Sequence, residues 1–544
     1  MISIFALAMR LPEALAYLSA LRPATVSICA STFSVGHADT HEANGLVAIG
    51  DEEGRIRLLD SDPSGEDSFS NIHVSFAAHG NAVIDLAFSE DDSLLATASG
   101  DQTGKVIDVE TQIPVSILDH HTASLKQVRF QPGKGQGHVI ATSGRDGTVK
   151  IWDLRCKGGP AQEVMVERPT NLRYSLPRKV SQGCVVNNIY DAHARTSRQS
   201  RQMQGAAPPD VAARWEVPGR VGEVSVTAIQ FLPAGKEHLI LSACEADASI
   251  KLWDIRNFHT SRHKTSTPIS ITAPPKSHSL WRPFGISSMS LSTDSARLYA
   301  LCKDNTVYAY STAHLVLGYA PELSSRGDPP RRRNGTAQEG LGPLYGFRHE
   351  NFHATSFYVK TAVRPAKDGR PELLAVGSSD GCAILFPTDE RYMDEQMLPV
   401  NSTHASDRGF AATSNHSSFP PQTRQFANSQ QQQPRAGNGT RRPGGLFRTS
   451  STLSLHGRLV DTIPIVNHGT ALVRGHEKKE VGAVCWTSQG NMVSVGDDYV
   501  VRCWREDRDR AIDLRTGGES EGRRWASGWA EVGDSWDEDE WSED

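Results

Sequence analysis

The chain has no long apolar run. No stretch of about 18 residues, the least a membrane helix needs, is free of charge. Residues 1–21 are apolar but broken by Arg10 and Glu13, so no secretory signal is expected. Paired cysteines are also absent. The eight cysteines (Cys29, Cys156, Cys184, Cys244, Cys302, Cys382, Cys485 and Cys503) stand singly with no C-x-x-C, which points away from a zinc site or disulfide framework and toward a reducing compartment. Charge of one sign is lacking too: 57 basic residues face 63 acidic ones, a net charge of −6 that argues against a nucleic-acid coat. Hydrophobic residues make up only 38% of 544. Globular domains reach about 45–50%, a figure that includes glycine, so an ordered domain with disordered insertions fits better than one compact enzyme core. No non-repeating Asp/Glu/His cluster suggests a hydrolytic or metal centre, and neither catalysis nor a cofactor or metal is expected.

What is present is a repeat of roughly 40–45 residues. Its clearest copy runs from His121 to Arg155. A His is followed by the alternating Leu125–Phe130, then 139–144, then Arg145-Asp146-Gly147 and Thr148–Asp153. Alternation with period two gives strands, and Asp-Gly between two such runs gives a tight hairpin. A Trp-Asp ending some 30 residues after a His marks a WD40 repeat. Further copies run from His79 to Val109, Val226 to Arg256 and His476 to Trp504, and weaker ones end near 58–60, 308–310 and 384–386. Seven copies suffice for an all-β, seven-bladed WD40 β-propeller of four-stranded blades. Within a blade, His121, the hydroxyl of Thr142 or Ser143, Asp146 and Trp152 can form a buried hydrogen-bond chain. A Ser-His-Asp set that recurs at one spacing is architecture, not a catalytic triad. The second copy keeps His79 and Asp101 but has Ile107 in place of Trp.

Three stretches break the period: about 156–222, 320–343 and 395–465. Their Pro, Gln, Ser, Asn and Arg content points to loops and disorder, since such composition cannot bury enough apolar area to offset ordering entropy. Arg331–Arg333 fits a nuclear import signal as well as a solvated loop cluster, and 448–452 is rich in hydroxyls. Residues 1–24 are set apart as a leader, and 25–505 as the propeller. The tail 506–544 carries 14 acidic against 5 basic residues, punctuated by Trp525, Trp529, Trp536 and Trp541. Acid interleaved with aromatic suggests a partly disordered interaction segment, with Trp525 and Trp529 docking on the propeller and the last two solvated.

Two copies end alike, in Ile151-Trp152-Asp153-Leu154-Arg155 and Leu252-Trp253-Asp254-Ile255-Arg256. Each Arg lies two residues past the Asp, where the strand leaves its sheet. There it can offer a planar fork to a partner's carboxylates or carbonyls. WD40 substrate receptors of cullin-4 ubiquitin ligases use such paired W-D-x-R motifs to bind the ligase's adaptor.

Other segments are not generic to WD40 repeats. Gly50-Asp-Glu-Glu-Gly-Arg-Ile-Arg57, 78–87, 99–103, 124–128, Gly144-Arg-Asp-Gly147 leading into Trp152–Cys156, Asp191-Ala-His193, 250–256, Ser356-Phe-Tyr-Val-Lys360, 377–380 and either Gly528-Trp529-Ala530 or Trp525-Ala526-Ser527 occur in order. In these the chain resembles the denticleless family, the cullin-4 receptors that destroy replication-licensing factors. The resemblance implies a nuclear, non-enzymatic substrate-recognition subunit. Its substrates would carry a degron that also binds the sliding clamp PCNA on DNA. Arg155 and Arg256 would contact the adaptor (the DNA-damage-binding adaptor protein), framed by Trp152, Asp153, Trp253 and Asp254. No Gln-x-x-aliphatic-x-x-aromatic-aromatic clamp-binding box occurs, and neither sequence-specific DNA binding nor a membrane is expected. Lys126, Arg145 and Arg282 are basic loop residues that could face a substrate–clamp composite or simply be solvated; the substrate surface is unassigned. A WD40 scaffold in a chromatin or RNA-processing complex would share the fold and be indifferent to the two arginines.

Overall fold

The structure, a computed structural model, describes residues 4–10, 33–34, 45–60, 72–133, 137–167, 175–193, 224–233, 235–256, 267–280, 283–318, 340–367, 369–390, 463–507, 509, 511–512 and 528–530. Arg282, the 331–333 triplet, 448–452, Trp525, Trp536 and Trp541 lie outside these residues, as do nearly all of 320–343 and 395–465.

The architecture is an all-β propeller. Strand pairing sorts the described strands into antiparallel ladders of four. The first holds Phe33–Ser34, Gly45–Gly50, Arg55–Asp60 and Ile72–Ala77. The second holds Val83–Phe88, Leu94–Ser99, Gly104–Asp108 and Pro114–Leu118. The third holds Leu125–Phe130, Val139–Gly144, Val149–Glu167 and Ser175–Ile189. The fourth comprises Val226–Phe231, Leu239–Cys244, Lys251–Asp254 and Ser270–Ile271. Ile286–Leu291, Arg297–Cys302, Thr306–Ser311 and Tyr345–Phe347 make the fifth. Thr361–Arg364, Leu373–Val376, Ala383–Pro387 and Thr470–Val473 make the sixth. The seventh pairs Val481–Trp486, Met492–Gly496 and Val500–Glu506 with Ile4–Arg10. Among the described residues, no helix is long and apolar enough to cross a membrane.

The core lies between ladders rather than within one. Ile56, Leu58 and Phe76 of the first pack on Leu86, Leu95 and Ile107 of the second. Val106 and Leu118 of the second pack on Val128, Ile140 and Trp152 of the third. The third and fourth, fourth and fifth, and sixth and seventh are joined the same way. Between the fifth and sixth, Phe347 meets Phe386 with ring centroids 5.3 Å apart. The ring then closes: Val47, Ile49 and Leu59 of the first ladder share a cluster with Val493, Val501 and Cys503 of the last. Strands buried on both faces need small and β-branched residues, hence the Ala-Thr-Ala of 96–98 and the Ile-Ala-Thr of 140–142, and a closed ring leaves few open edges.

The structure departs from the sequence reading in two places. The stretch 156–222 is not loop throughout: Val149–Glu167 runs on past the repeat and pairs with Ser175–Ile189 as a long hairpin. That hairpin is held by tertiary contact rather than by its own pattern. Ser181 and Gln182 pair in parallel with Ser116 and Ile117, the outer strand of the second ladder, so two ladders merge into one eight-stranded sheet. Gly183 makes this approach possible, since a Cβ there would lie 2.7 Å from Leu118 Cδ2 and 3.0 Å from Trp152 Cε3. The second departure is at the other end of the ring. Ile4–Arg10, within the stretch set apart as a leader, pairs by its backbone with Val500–Glu506 over seven residues. Trp529–Ala530 bridges that strand to Thr470–Val473, and Arg474 stacks 5.1 Å from the Trp529 ring centre.

Candidate functional site

The two W-D-x-R ends occupy equivalent places. In the third ladder Trp152 pairs with Ile140 and Asp153 with Val139; in the fourth Trp253 pairs with Ile240 and Asp254 with Leu239. Both motifs therefore close the third strand of neighbouring ladders, and strands of the same rank run the same way, so both arginines emerge on one face of the ring.

Beyond each Asp the ladder is interrupted. In the third, Asp153 pairs with Cys184 and Lys157 with Gly183, leaving Leu154, Arg155 and Cys156 as a bulge. In the fourth, Lys251–Asp254 ends at the Asp itself. Freed from the ladder, each Arg turns back on its own Asp. Arg155 donates from Nε to Asp153 Oδ1 at 2.9 Å and from Nη2 to Oδ2 at 2.8 Å. Arg256 does the same with Asp254 at 3.0 and 2.8 Å. Each Arg backbone N–H also reaches the same Oδ1, at 2.9 Å in both cases. The Asp thus caps a local turn and orients the guanidinium plane. Two of about five guanidinium N–H donors are used, and three remain. The Arg side chains stay 59% and 65% exposed, whereas their Asp partners are 14% and 13% exposed. The Arg hydrogen bonds hold both carboxyls below the usual carboxylate range.

Trp152 and Trp253 have another task. Trp152 Nε1 donates to Thr142 Oγ1 at 2.8 Å, His121 Nε2 meets the same hydroxyl at 2.7 Å, and His121 Nδ1 meets Asp146 Oδ2 at 2.9 Å. Trp504, Ser494, His476 and Asp498 repeat this chain. In the second ladder His79, Thr97 and Asp101 keep it and Ile107, 1% exposed, fills the Trp place with packing alone. These sets are supports whose histidine side chains are fully buried, with Asp101 23% exposed. Burial lowers the proton affinity of His79 and His121 below their ordinary 6.5, outweighing the hydrogen bonds and charges of Asp101 and Asp146.

A pH dependence follows. The fold holds these imidazoles neutral, while the unfolded chain takes up protons near pH 6.5. Their contribution is whole above that pH and is lost as pH falls below it. The histidines' share of the melting temperature is therefore expected to be level above pH 7 and to fall from pH 6.5 to 5, opposed by Asp304 and Asp497, whose carboxyls burial pushes up to about 6. Each histidine contributes at most about 1.4 kcal/mol per pH unit. A wild-type melting temperature that changes over that interval just as that of a His121→Gln variant does would contradict this.

Two neighbours of the forks were not singled out in the sequence. Leu154 N–H donates to the His138 carbonyl at 2.8 Å, and Ile255 N–H to the His238 carbonyl at 3.0 Å. Each His precedes a second strand, in His138-Val-Ile and His238-Leu-Ile, and each imidazole lies close enough to help lower its neighbouring Asp. The signal was there as a His repeated at one register. The basic candidates lie elsewhere: Lys126 Nζ sits 5.8 Å from the Tyr358 ring centre, and Arg145 N–H donates to the Ser124 carbonyl at 2.9 Å.

Comparison with known proteins bears on this geometry. The family model "WD domain, G-beta repeat" matches residues 70–108, 112–153 and 469–505. The chain is 28% identical over 385 residues to "Cell division cycle protein cdt2" of Schizosaccharomyces pombe, covering 68% of this chain and 63% of that protein. It is 29% identical to "Denticleless protein homolog B" of Xenopus laevis, covering 65% and 41%, and 28% identical to the human "Denticleless protein homolog", covering 65% and 40%. It thus spans under two thirds of the length of these relatives. Taken with the repeats and the propeller, these matches make the chain similar to the WD40 proteins of the denticleless family.

Proposed function

We propose that this chain is a non-catalytic substrate-recognition subunit of a cullin-4 RING ubiquitin ligase, acting in the nucleus in the cell cycle. Arg155 and Arg256 bind the ligase's DNA-damage-binding adaptor, and through it the cullin-4 and RING subunits. Substrates are replication and cell-cycle proteins of the licensing-factor type, presented with PCNA on DNA and marked for proteasomal degradation. The observation that carries this reading is the pair of identical forks. Two adjacent ladders hold an exposed guanidinium in one orientation by the same three bonds to their own Asp. A solvated arginine of purely structural use has no reason to be oriented twice alike, whereas a planar, preoriented donor is what recognition of carbonyls or carboxylates requires.

The test is capture of the cullin-4 adaptor by the tagged full chain, wild type beside an Arg155→Glu/Arg256→Glu variant, with thermal melts of both. Capture by the wild type and not by an equally folded variant supports the reading. No capture by the wild type, under conditions where an established receptor captures the adaptor, overturns it in favour of a WD40 interaction scaffold.

A further inference from the structure

The fourth ladder differs from the third and the seventh at one contact. In the third and seventh ladders the buried His meets its Asp directly, His121 Nδ1 to Asp146 at 2.9 Å and His476 Nδ1 to Asp498 at 3.0 Å. A glycine lies against that contact in both, whereas in the second ladder Ser99 holds the place and His79 still meets Asp101 at 2.9 Å. A Cβ on Gly144 would stand 2.7 Å from both His121 Nδ1 and Asp146 Oδ1; one on Gly496 would stand 2.7 Å from His476 Nδ1 and 2.9 Å from Asp498 Oδ1. In the fourth ladder the residue at this place is Cys244, two past the hydroxyl of Ser242 as Gly144 is two past Thr142 and Gly496 two past Ser494. The turn that follows is one residue longer before it reaches Asp247.

The consequence is a gap in the hydrogen-bond chain. His193 Nε2 still meets Ser242 Oγ at 2.9 Å, and Trp253 Nε1 donates to that hydroxyl at 2.9 Å. His193 Nδ1, however, is buried with no partner on a side chain only 3% exposed. An orphaned imidazole nitrogen in a core is destabilising unless something fills its place. Around it stand the Cys244 thiol, fully buried, and the Asp247 carboxylate. One donor atom from each of the three lies within 4.8 Å of the others. Asp247 also accepts from the Ser249 backbone N–H at 2.9 Å and hydroxyl at 2.5 Å, which fixes its carboxylate on the turn.

We infer that His193, Cys244 and Asp247 form a structural metal site for a zinc-type divalent cation. A thiolate and an imidazole select such a borderline ion over magnesium or calcium, which prefer oxygen alone. Tetrahedral zinc would hold its ligand atoms about 3.5 Å apart, so the three close in by about an ångström. The carboxylate can take one or two positions, and a water completes the set. His193 and Cys244 are buried, so the ion's role is to staple the lengthened turn between the second and third strands of the fourth ladder. Thiolate and carboxylate offset the ion, and the nearby Lys251 ammonium, held on the Ala192 carbonyl at 2.7 Å, leaves one positive charge over. Burial, and then Lys251, push the His193 proton affinity down, which leaves Nδ1 free to ligate, while burial raises the Cys244 thiol, so the ion must displace its proton. No C-x-x-C spacing marks these ligands in the sequence; the blade brings them together instead.

The test uses the purified full chain, stripped with a chelator and then dialysed against Zn²⁺ or Co²⁺. The expected result is one zinc retained per chain and, with cobalt, a near-ultraviolet thiolate-to-cobalt charge-transfer band beside four-coordinate visible bands. Cys244→Gly places there the glycine of the third and seventh ladders and is expected to fold and to lose both the zinc and the band. Cys244→Ser keeps the side-chain size and loses the band. Asp247→Asn is expected to weaken binding by about tenfold or more. Zinc raises the melting temperature of the wild type and not of Cys244→Gly. A wild-type chain that retains no stoichiometric metal, or a Cys244→Gly chain that shows the same zinc content and the same band, overturns the inference.

Discussion

Reversing both forks, Arg155→Glu with Arg256→Glu, is expected to lower affinity for the cullin-4 adaptor by about a thousandfold or more while leaving the fold intact. An interface Arg that anchors a partner contributes about 2 kcal/mol or more when truncated, and placing a like charge against a site built for a cation adds to that. Two such losses reach about 4 kcal/mol, which is roughly three decades in dissociation constant. The fold is insensitive because both side chains are mostly in solvent and touch only their own Asp. Exposed substitutions of this kind stay within about 0.5 kcal/mol, or about 2 °C in melting temperature. Asp153→Asn separates orientation from charge. The Arg keeps its charge and loses its bidentate partner, so a loss of about tenfold or less is expected, the cost of ordering a side chain on binding. Equal losses in Asp153→Asn and Arg155→Glu, measured by titration calorimetry, would mean that the carboxylate itself touches the partner.

Trp152→Ala is expected to act on stability, not on the partner. The ring is fully buried between the second and third ladders, among Leu118, Leu125 and Ile140. Its loss costs about 3–5 kcal/mol through cavity and transfer terms, and removes a donor from Thr142 Oγ1 as well. That is a large share of the roughly 5–15 kcal/mol a domain has to spare. Denaturant unfolding checks it: the midpoint should fall by that amount, while any adaptor capture by the fraction that stays folded keeps its wild-type affinity. A midpoint shift under about 1 kcal/mol would show that the cavity collapses or fills. Ile107→Ala at the same place in the second ladder should cost about 2–5 kcal/mol, since there no hydroxyl loses its partner.

The ring was legible in the sequence because its signals are local. Alternation, an Asp-Gly turn and a His thirty residues before a Trp each lie inside one repeat, and the His121–Thr142–Trp152 chain is where the spacing puts it. The hairpin through 156–189 was not legible. Gly158, Gly159 and Pro160 weaken any strand pattern, and the pairing that holds it, Ser181 and Gln182 beside Ser116 and Ile117, is made by chain some 65 residues distant. Ile4–Arg10 is a similar case, since a strand whose partner is Val500–Glu506 carries no local mark of it. At the forks the residues were visible but their posture was not. Asp153 and Asp254 looked like strand ends, and only the bulge and the ended strand show that each aims its Arg. Cys244 looked like one of several scattered thiols until its register was set against Gly144 and Gly496.

The bidentate bond within each fork has a kinetic side. Every exposed guanidinium meets a partner already neutralised by its own carboxylate, so the pair presents a dipole rather than a net charge. Dipoles lose their reach within a few ångströms, well inside the Debye length of about 8 Å at physiological salt. Long-range steering by these two arginines is therefore slight, and the encounter rate they allow varies little with ionic strength. Under the proposed function, what the forks would govern is how long a complex lasts once formed: their three outward donors would act at contact distance, where release means breaking oriented hydrogen bonds.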